Sequence, residues 1–85
     1  MDKYQIESRV KEVIGKILEV PYDQIQNSSN LVKDLGADSF DFLQLDFEIW
    51  EEFQIRGTED VLINVQTVQD VIDLVILHAE DKPHA

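Results

Sequence analysis

The stretch Asp34-Leu35-Gly36-Ala37-Asp38-Ser39-Phe40-Asp41 (residues 34–41) holds a turn, a cap and the start of a helix. Gly36 permits a tight turn, because glycine reaches backbone conformations that other residues avoid. Asp38 is the expected N-cap, and Asp41 adds negative charge to the first turn, where the helix dipole favours it. Ser39 stands at the helix mouth. A hydroxyl there is well placed to carry a covalent phosphate ester, since partial positive charge at a helix N-terminus favours an attached phosphate. The helix itself is expected from Ser39 to Phe53 or Gln54. Projected at about 100° per residue it shows two apolar stripes. Phe42, Leu45, Ile49 and Phe53 form the first, the expected core face. Phe40, Leu43, Phe47 and Trp50 form the second, which is either covered by neighbouring segments or exposed as a partner surface. Asp41, Gln44, Glu48, Glu51 and Glu52 make the polar face, with Asp46 between the stripes.

The same periodicity extends outward. Ile6, Val10, Val13, Ile14, Ile17 and Leu18 recur at helical spacing, with Pro21 ending that first helix by about Val20. Residues 21–38 form a long connection, with turn chemistry in Asn27-Ser28-Ser29-Asn30. Ile25, Leu31, Val32 and Leu35 are expected to pin it to the core. A structured connection of this length in a small domain is often functional. Thr58 is read as the cap of a short helix at Glu59–Ile63. Thr67 caps a last helix, with Asp70 in its first turn and Val68, Val71, Ile72, Val75 and Ala79 as its stripe. Residues 81–85 read as a frayed tail. The expected architecture is all-α: one domain over residues 1–85, a small bundle of four helices in which the third is short.

Composition narrows the function. Seven basic against 18 acidic residues leave a net charge of −11. Residues 34–60 hold nine of those acids and Arg56 as their one base, so the field centres on Ser39. Such a field repels nucleic acid and anionic membrane surfaces and steers basic protein patches toward the site. The absence of cysteine excludes disulfides, thiolate metal sites and a cysteine nucleophile. No stretch reads as a signal peptide or a transmembrane span, and the cytoplasm is the expected compartment.

Catalytic readings are weak. A nucleophilic serine needs a base and an orienting acid, and the two histidines, His78 and His84, have no evident route to Ser39. Asp34, Asp38 and Asp41 lack the spacing of a calcium loop, so no metal site is expected. The glycines form no phosphate-binding loop, and the many carboxylates fall at helical spacing on a solvated face. A serine modified by another enzyme needs none of this machinery. It needs exposure, a defined backbone and room for a phosphate.

Three segments carry a resemblance. They are Asn30-Leu31-Val32-Lys33-Asp34-Leu35-Gly36-Ala37-Asp38-Ser39, Trp50-Glu51-Glu52-Phe53-Gln54-Ile55 and Thr67-Val68-Gln69-Asp70-Val71-Ile72-Asp73. In sequence, order and separation they resemble the acyl carrier protein family, over nearly the whole chain. The resemblance implies a carrier, not an enzyme. It implies 4′-phosphopantetheine on Ser39, donated from coenzyme A by a phosphopantetheinyl transferase, with Asp38 as the cap beside the attachment site. It implies a monomer that carries acyl groups as thioesters for fatty-acid, polyketide or specialised lipid biosynthesis. It also implies docking of the second helix on basic patches of acyl-loading and acyl-processing enzymes, through Phe40, Asp41, Gln44, Phe47, Glu48, Trp50 and Glu51.

The chain departs from the family pattern in that same helix. Phe40 replaces the usual Leu, Phe47 a common Met, and Asp46 a common aliphatic residue. Gln44 and Trp50 stand where acids are common, and Ile55-Arg56-Gly57-Thr58 replaces an Ile-Pro-Asp start. The partner face is thus more aromatic than in general fatty-acid carriers. Two rival readings remain at this level: an aminoacyl or peptidyl carrier, and an unmodified acidic interaction module. Cargo, pathway and partner identity are not written in the sequence.

Overall fold

The structure is a computed structural model of the 85-residue chain and describes residues 1–58 and 61–80. The described residues form three α-helices: α1 (Lys3–Leu18), α2 (Ser39–Glu52) and α3 (Val68–Glu80). Each begins with a side-chain cap. Asp2 accepts from the Gln5 N–H at 2.9 Å, while the Gln5 side chain accepts from the Asp2 N–H at 3.0 Å. This reciprocal box satisfies two of the donors that every helix start leaves unpaired.

α1 ends at Leu18, two residues before the expected stop. Glu19 turns left-handed (φ 58°), and the Val20 N–H returns to the Gly15 carbonyl at 3.0 Å. Gly15 is required there. A Cβ at this position would lie 2.8 Å from the Val20 carbonyl oxygen.

α1 lies against both α2 and α3. Val10 and Ile14 from α1, Leu45 and Ile49 from α2, and Val71, Ile72 and Val75 from α3 form a buried centre. Loop residues Ile25, Leu31 and Leu62 complete it. The expected stripes therefore hold in their middles and fray at their ends: Phe42 and Phe53 are only partly buried, and Ala79 is exposed.

Two expectations need correction. The short third helix is a single 3₁₀ turn, Val61–Asn64, following a short turn at Tyr22–Gln24. Leu62 anchors it and the Val61 N–H donates to the Thr58 carbonyl, but four residues are too few for an α-helical ladder. Residues 59 and 60 of that expected helix, and the expected frayed tail at 81–85, lie outside the described residues. Val32 does not pin the connection; it is exposed, while its neighbour Leu31 is fully buried.

The long connection is held by α3 rather than by a sheet. Asn30 and Thr67 form an isolated bridge. Leu31 N–H donates to the Gln66 carbonyl, Val68 N–H to Ser29 and Gln69 N–H to Asn27, at 2.9–3.0 Å. The segments leading into α2 and α3 are thereby tied together. No described helix is long and apolar enough to cross a membrane.

Candidate functional site

The approach to α2 is fixed residue by residue. Gly36 adopts φ +76°, the left-handed conformation expected of it. Ala37 is buried and its N–H donates to the Leu31 carbonyl at 2.8 Å. Asp38 is extended and caps the helix: its Oδ1 accepts from the Asp41 N–H at 2.9 Å, and Asp41 Oδ2 accepts from the Asp38 N–H at 3.0 Å. The cap and first-turn acid foreseen for this helix are both in place. Asp41 is part of that box, so its carboxylate is committed to the backbone.

Ser39 is the first residue of α2 and is exposed. Among the described residues nothing engages its hydroxyl. Other hydroxyls are used differently. Ser29 Oγ accepts from the Gln26 N–H at 3.0 Å, Thr67 Oγ1 caps α3, and Thr58 is buried. Beside Ser39 opens a cleft of 430 Å³, within the range of about 300–1,000 Å³ typical of small-ligand sites. Val32, Ala37, Phe42, Leu43 and Ile63 give it apolar walls, and Asp38 and Asp46 also line it.

The expected partner residues divide. Phe40 is 81% exposed and Phe47 68%, with Leu43, Gln44 and Glu51 exposed alongside. Trp50 does not belong with them: it is 5% exposed. Its indole Nε1–H donates to Asp46 Oδ1 at 3.0 Å, and its ring packs against His78 with centroids 5.2 Å apart. A buried indole needs an acceptor, and Asp46 one turn back supplies it. The i, i+4 spacing of Asp46 and Trp50 carried that signal in the sequence.

Glu48 faces α1 rather than a partner. It pairs with Lys16 Nζ at 2.9 Å and accepts from Gln44 Nε2 at 3.2 Å. The Lys16 hydrogen bond holds the Glu48 carboxyl below its ordinary range, and the same bond raises Lys16. Glu52 lies 3.6 Å from Arg9. The exposed face of α2 is therefore an aromatic and aliphatic ridge edged by Glu51, while Glu48 and Glu52 pair with basic residues of α1.

His78 sits at the other end of α2 from Ser39, beside Trp50, about 16 Å further along the helix axis. Its Nδ1–H donates to the Leu74 carbonyl at 2.8 Å. Among the described residues no group of three or more His, Cys, Asp or Glu side chains is placed to hold a metal ion.

The family model described as "Phosphopantetheine attachment site" matches residues 8–75. The chain belongs to the phosphopantetheine attachment site family. Its prosthetic group is covalent 4′-phosphopantetheine, and carrier domains of this family are loaded by phosphopantetheinyl transferases and work with other enzymes.

The residues present fit that group. A phosphopantetheine attachment domain needs an accessible hydroxyl, free of internal bonds, on a defined backbone; the Ser39 hydroxyl is exposed and the backbone beside it is held by the Asp38–Asp41 box. The electrostatics are mixed. The helix dipole favours a phosphodiester, whereas the Asp38 and Asp41 carboxylates oppose it.

Proposed function

We propose that Ser39 Oγ is the attachment point and that this single domain is a non-catalytic carrier of acyl groups in the cytoplasm. The observation that carries the reading is the Ser39 hydroxyl, exposed and unengaged at a helix start whose capping is done by Asp38. In loading, Ser39 Oγ forms a bond to the pantetheine-side phosphorus of coenzyme A. The pyrophosphate P–O bond breaks, adenosine 3′,5′-bisphosphate leaves, and the hydroxyl proton passes to the transferase. Once bound, the group supplies a flexible arm whose terminal thiol holds cargo as a thioester.

The chain's own residues do the rest. Asp38, Asp41 and Ala37 hold the serine still. The ridge of Phe40, Leu43 and Phe47 gives partner enzymes an apolar contact next to the arm, with Glu51 at its edge to meet a basic rim. Such contacts are expected to be transient, with charge acting mainly on the association rate. The apolar walls beside Ser39 favour acyl cargo, in fatty-acid, polyketide or specialised lipid synthesis, over aminoacyl or peptidyl cargo.

The test is an intact mass after incubation with coenzyme A and a broad-specificity phosphopantetheinyl transferase. The wild type is expected to gain one phosphopantetheine and Ser39→Ala none. A loaded Ser39→Ala variant would move the site elsewhere. An unloaded wild type beside an active transferase would favour an unmodified interaction module.

A further inference from the structure

We infer that Arg56 selects the partner: the domain docks on an enzyme surface that sets an acidic side chain opposite Arg56, a basic one opposite Glu51 and an apolar one between them, in preference to a uniformly basic patch. The inference rests on the α2 ridge as the docking face. Residues 34–60 carry nine acids and a single base, Arg56. The fold displays that base at a fixed point. Gln54 is left-handed (φ 55°), and the Ile55 N–H donates to the Trp50 carbonyl at 2.9 Å. On the other side Gly57 is left-handed (φ 78°) and Thr58 is buried. The backbone is therefore held before and after Arg56, while Arg56 itself is exposed.

Arg56 lines a cleft of 460 Å³ toward the end of α2. The ridge residues Leu43 and Phe47 wall it together with Trp50 and Ile55, so a partner seated on the ridge covers it. Glu51 is the other exposed charge on the cleft; Asp46 also lines it, is partly buried, and accepts from the Trp50 indole. Among the described residues neither Glu51 nor Arg56 has an ion-pair partner, and they do not pair with each other. Two exposed charges of opposite sign thus stand on one largely apolar cleft. Glu48 and Glu52, by contrast, are already paired with Lys16 and Arg9. A uniformly basic patch gains at Glu51 and loses at Arg56, because like charges brought together at an interface are penalised. A surface with an acid at Arg56 gains at both. Discrimination between partners rests on such repulsion as much as on attraction.

The test measures affinity rather than turnover. Protein carrying phosphopantetheine, as wild type, Arg56→Glu, Arg56→Gln and Phe47→Ala, is titrated with an acyl-processing enzyme of general fatty-acid synthesis whose docking patch is basic. Binding is followed at the Gly57 amide and the Trp50 indole. The titrations are repeated with each basic residue of that patch reversed in turn to glutamate. Arg56→Glu is expected to bind the unaltered enzyme about fivefold tighter than wild type, the size of one exposed charge pair, with Arg56→Gln between them. One reversed enzyme is expected to invert the order and hold wild type about fivefold tighter than Arg56→Glu. Both differences should fade in about 0.5 M salt, where exposed charges are screened. Phe47→Ala is expected to weaken every pairing.

A wild type that binds the unaltered enzyme as tightly as Arg56→Glu overturns the inference. So does a set of reversals none of which inverts the order. Lowered thermal midpoints in both Arg56 variants, with equal losses against every enzyme, would assign Arg56 to the fold and overturn it too. If Phe47→Ala changes no affinity, the ridge is not the docking face and the inference falls with it. A wild type that takes up no phosphopantetheine strikes at the carrier reading as a whole, whereas a loaded wild type with an uncrossed pattern strikes at Arg56 alone.

Discussion

At the start of α2, Asp38 caps and Asp41 answers it; at the start of α3, Thr67 caps and Asp70 answers it. The reciprocal bonds are nearly the same length. Asp41 N–H to Asp38 Oδ1 is 2.9 Å and Asp70 N–H to Thr67 Oγ1 is 3.1 Å, with 3.0 Å for each return bond. The difference lies in which side chain does the capping. At α3 the hydroxyl is consumed by the helix. At α2 a carboxylate does that work, so the hydroxyl of the next residue projects unengaged. The comparison teaches that an exposed, unengaged serine need not weaken the helix that displays it, provided its neighbour holds the cap.

The comparison can be broken most forcefully where the two starts are joined. Leu31 is fully buried, and its N–H donates to the Gln66 carbonyl just before α3. Leu31→Ala is expected to cost about 2–5 kcal/mol, the range for truncating a buried leucine. Both helix starts should loosen, seen as a lowered denaturation midpoint and faster amide exchange at Asp41 and Asp70 alike. Exchange that rises at one start alone would show that the starts are independent.

Removing the α2 cap alone is a smaller step. Asp38→Ala is expected to cost about 1 kcal/mol, within a cap range of about 0.5–2, and to slow loading by disordering the backbone under Ser39. Urea melts and a loading time course check both. Unchanged loading with the expected loss of stability would mean that the serine needs no fixed backbone.

A finer difference appears with acid. Backbone hydrogen bonds from Thr67 and Gln66 hold the Asp70 carboxyl below its ordinary range. A lowered folded pKa gives stability that is present above the unfolded aspartate value and is lost as pH falls through the folded one. Wild type should therefore lose stability on that acid limb, and Asp70→Asn should lose less over the same window. Glu48, also lowered through Lys16, titrates in both proteins and cancels in the difference. Parallel acid limbs in the two proteins would contradict the account of the α3 cap.

The smallest effect is expected on the exposed ridge. Phe47→Ala should change stability by no more than about 0.5 kcal/mol, as for a surface position, whereas Trp50→Ala, three residues on, should cost about 3–5. Chemical melts of the pair read this directly. A large loss in Phe47→Ala would place the ridge in the core.

Much of this was legible because local chemistry is short-ranged. The cap at Asp38, the left-handed Gly36 and the α1 and α3 stripes follow from residues within one or two turns of each other. What the sequence hid depends on distant partners. Glu48 and Glu52 read as a solvated acidic face, yet α1 brings Lys16 and Arg9 to them. Trp50 read equally well as core or as partner surface; it is buried, with its ring against His78 from α3. Val32 and Ile63 become cleft walls only when the two connections fold over the start of α2. Gly15 matters through Val20, a contact made only after the chain reverses.

One paired experiment tests the division between the two helix starts most directly: intact mass after transferase treatment, and the thermal midpoint, for wild type, Ser39→Ala and Thr67→Ala. The account predicts a crossed pattern. Ser39→Ala should gain no phosphopantetheine and keep the wild-type midpoint; Thr67→Ala should load fully and melt about 4–8 °C lower, the shift of a cap worth about 1 kcal/mol. A Ser39→Ala protein that loads, or one that fails to load only because it has unfolded, would contradict it.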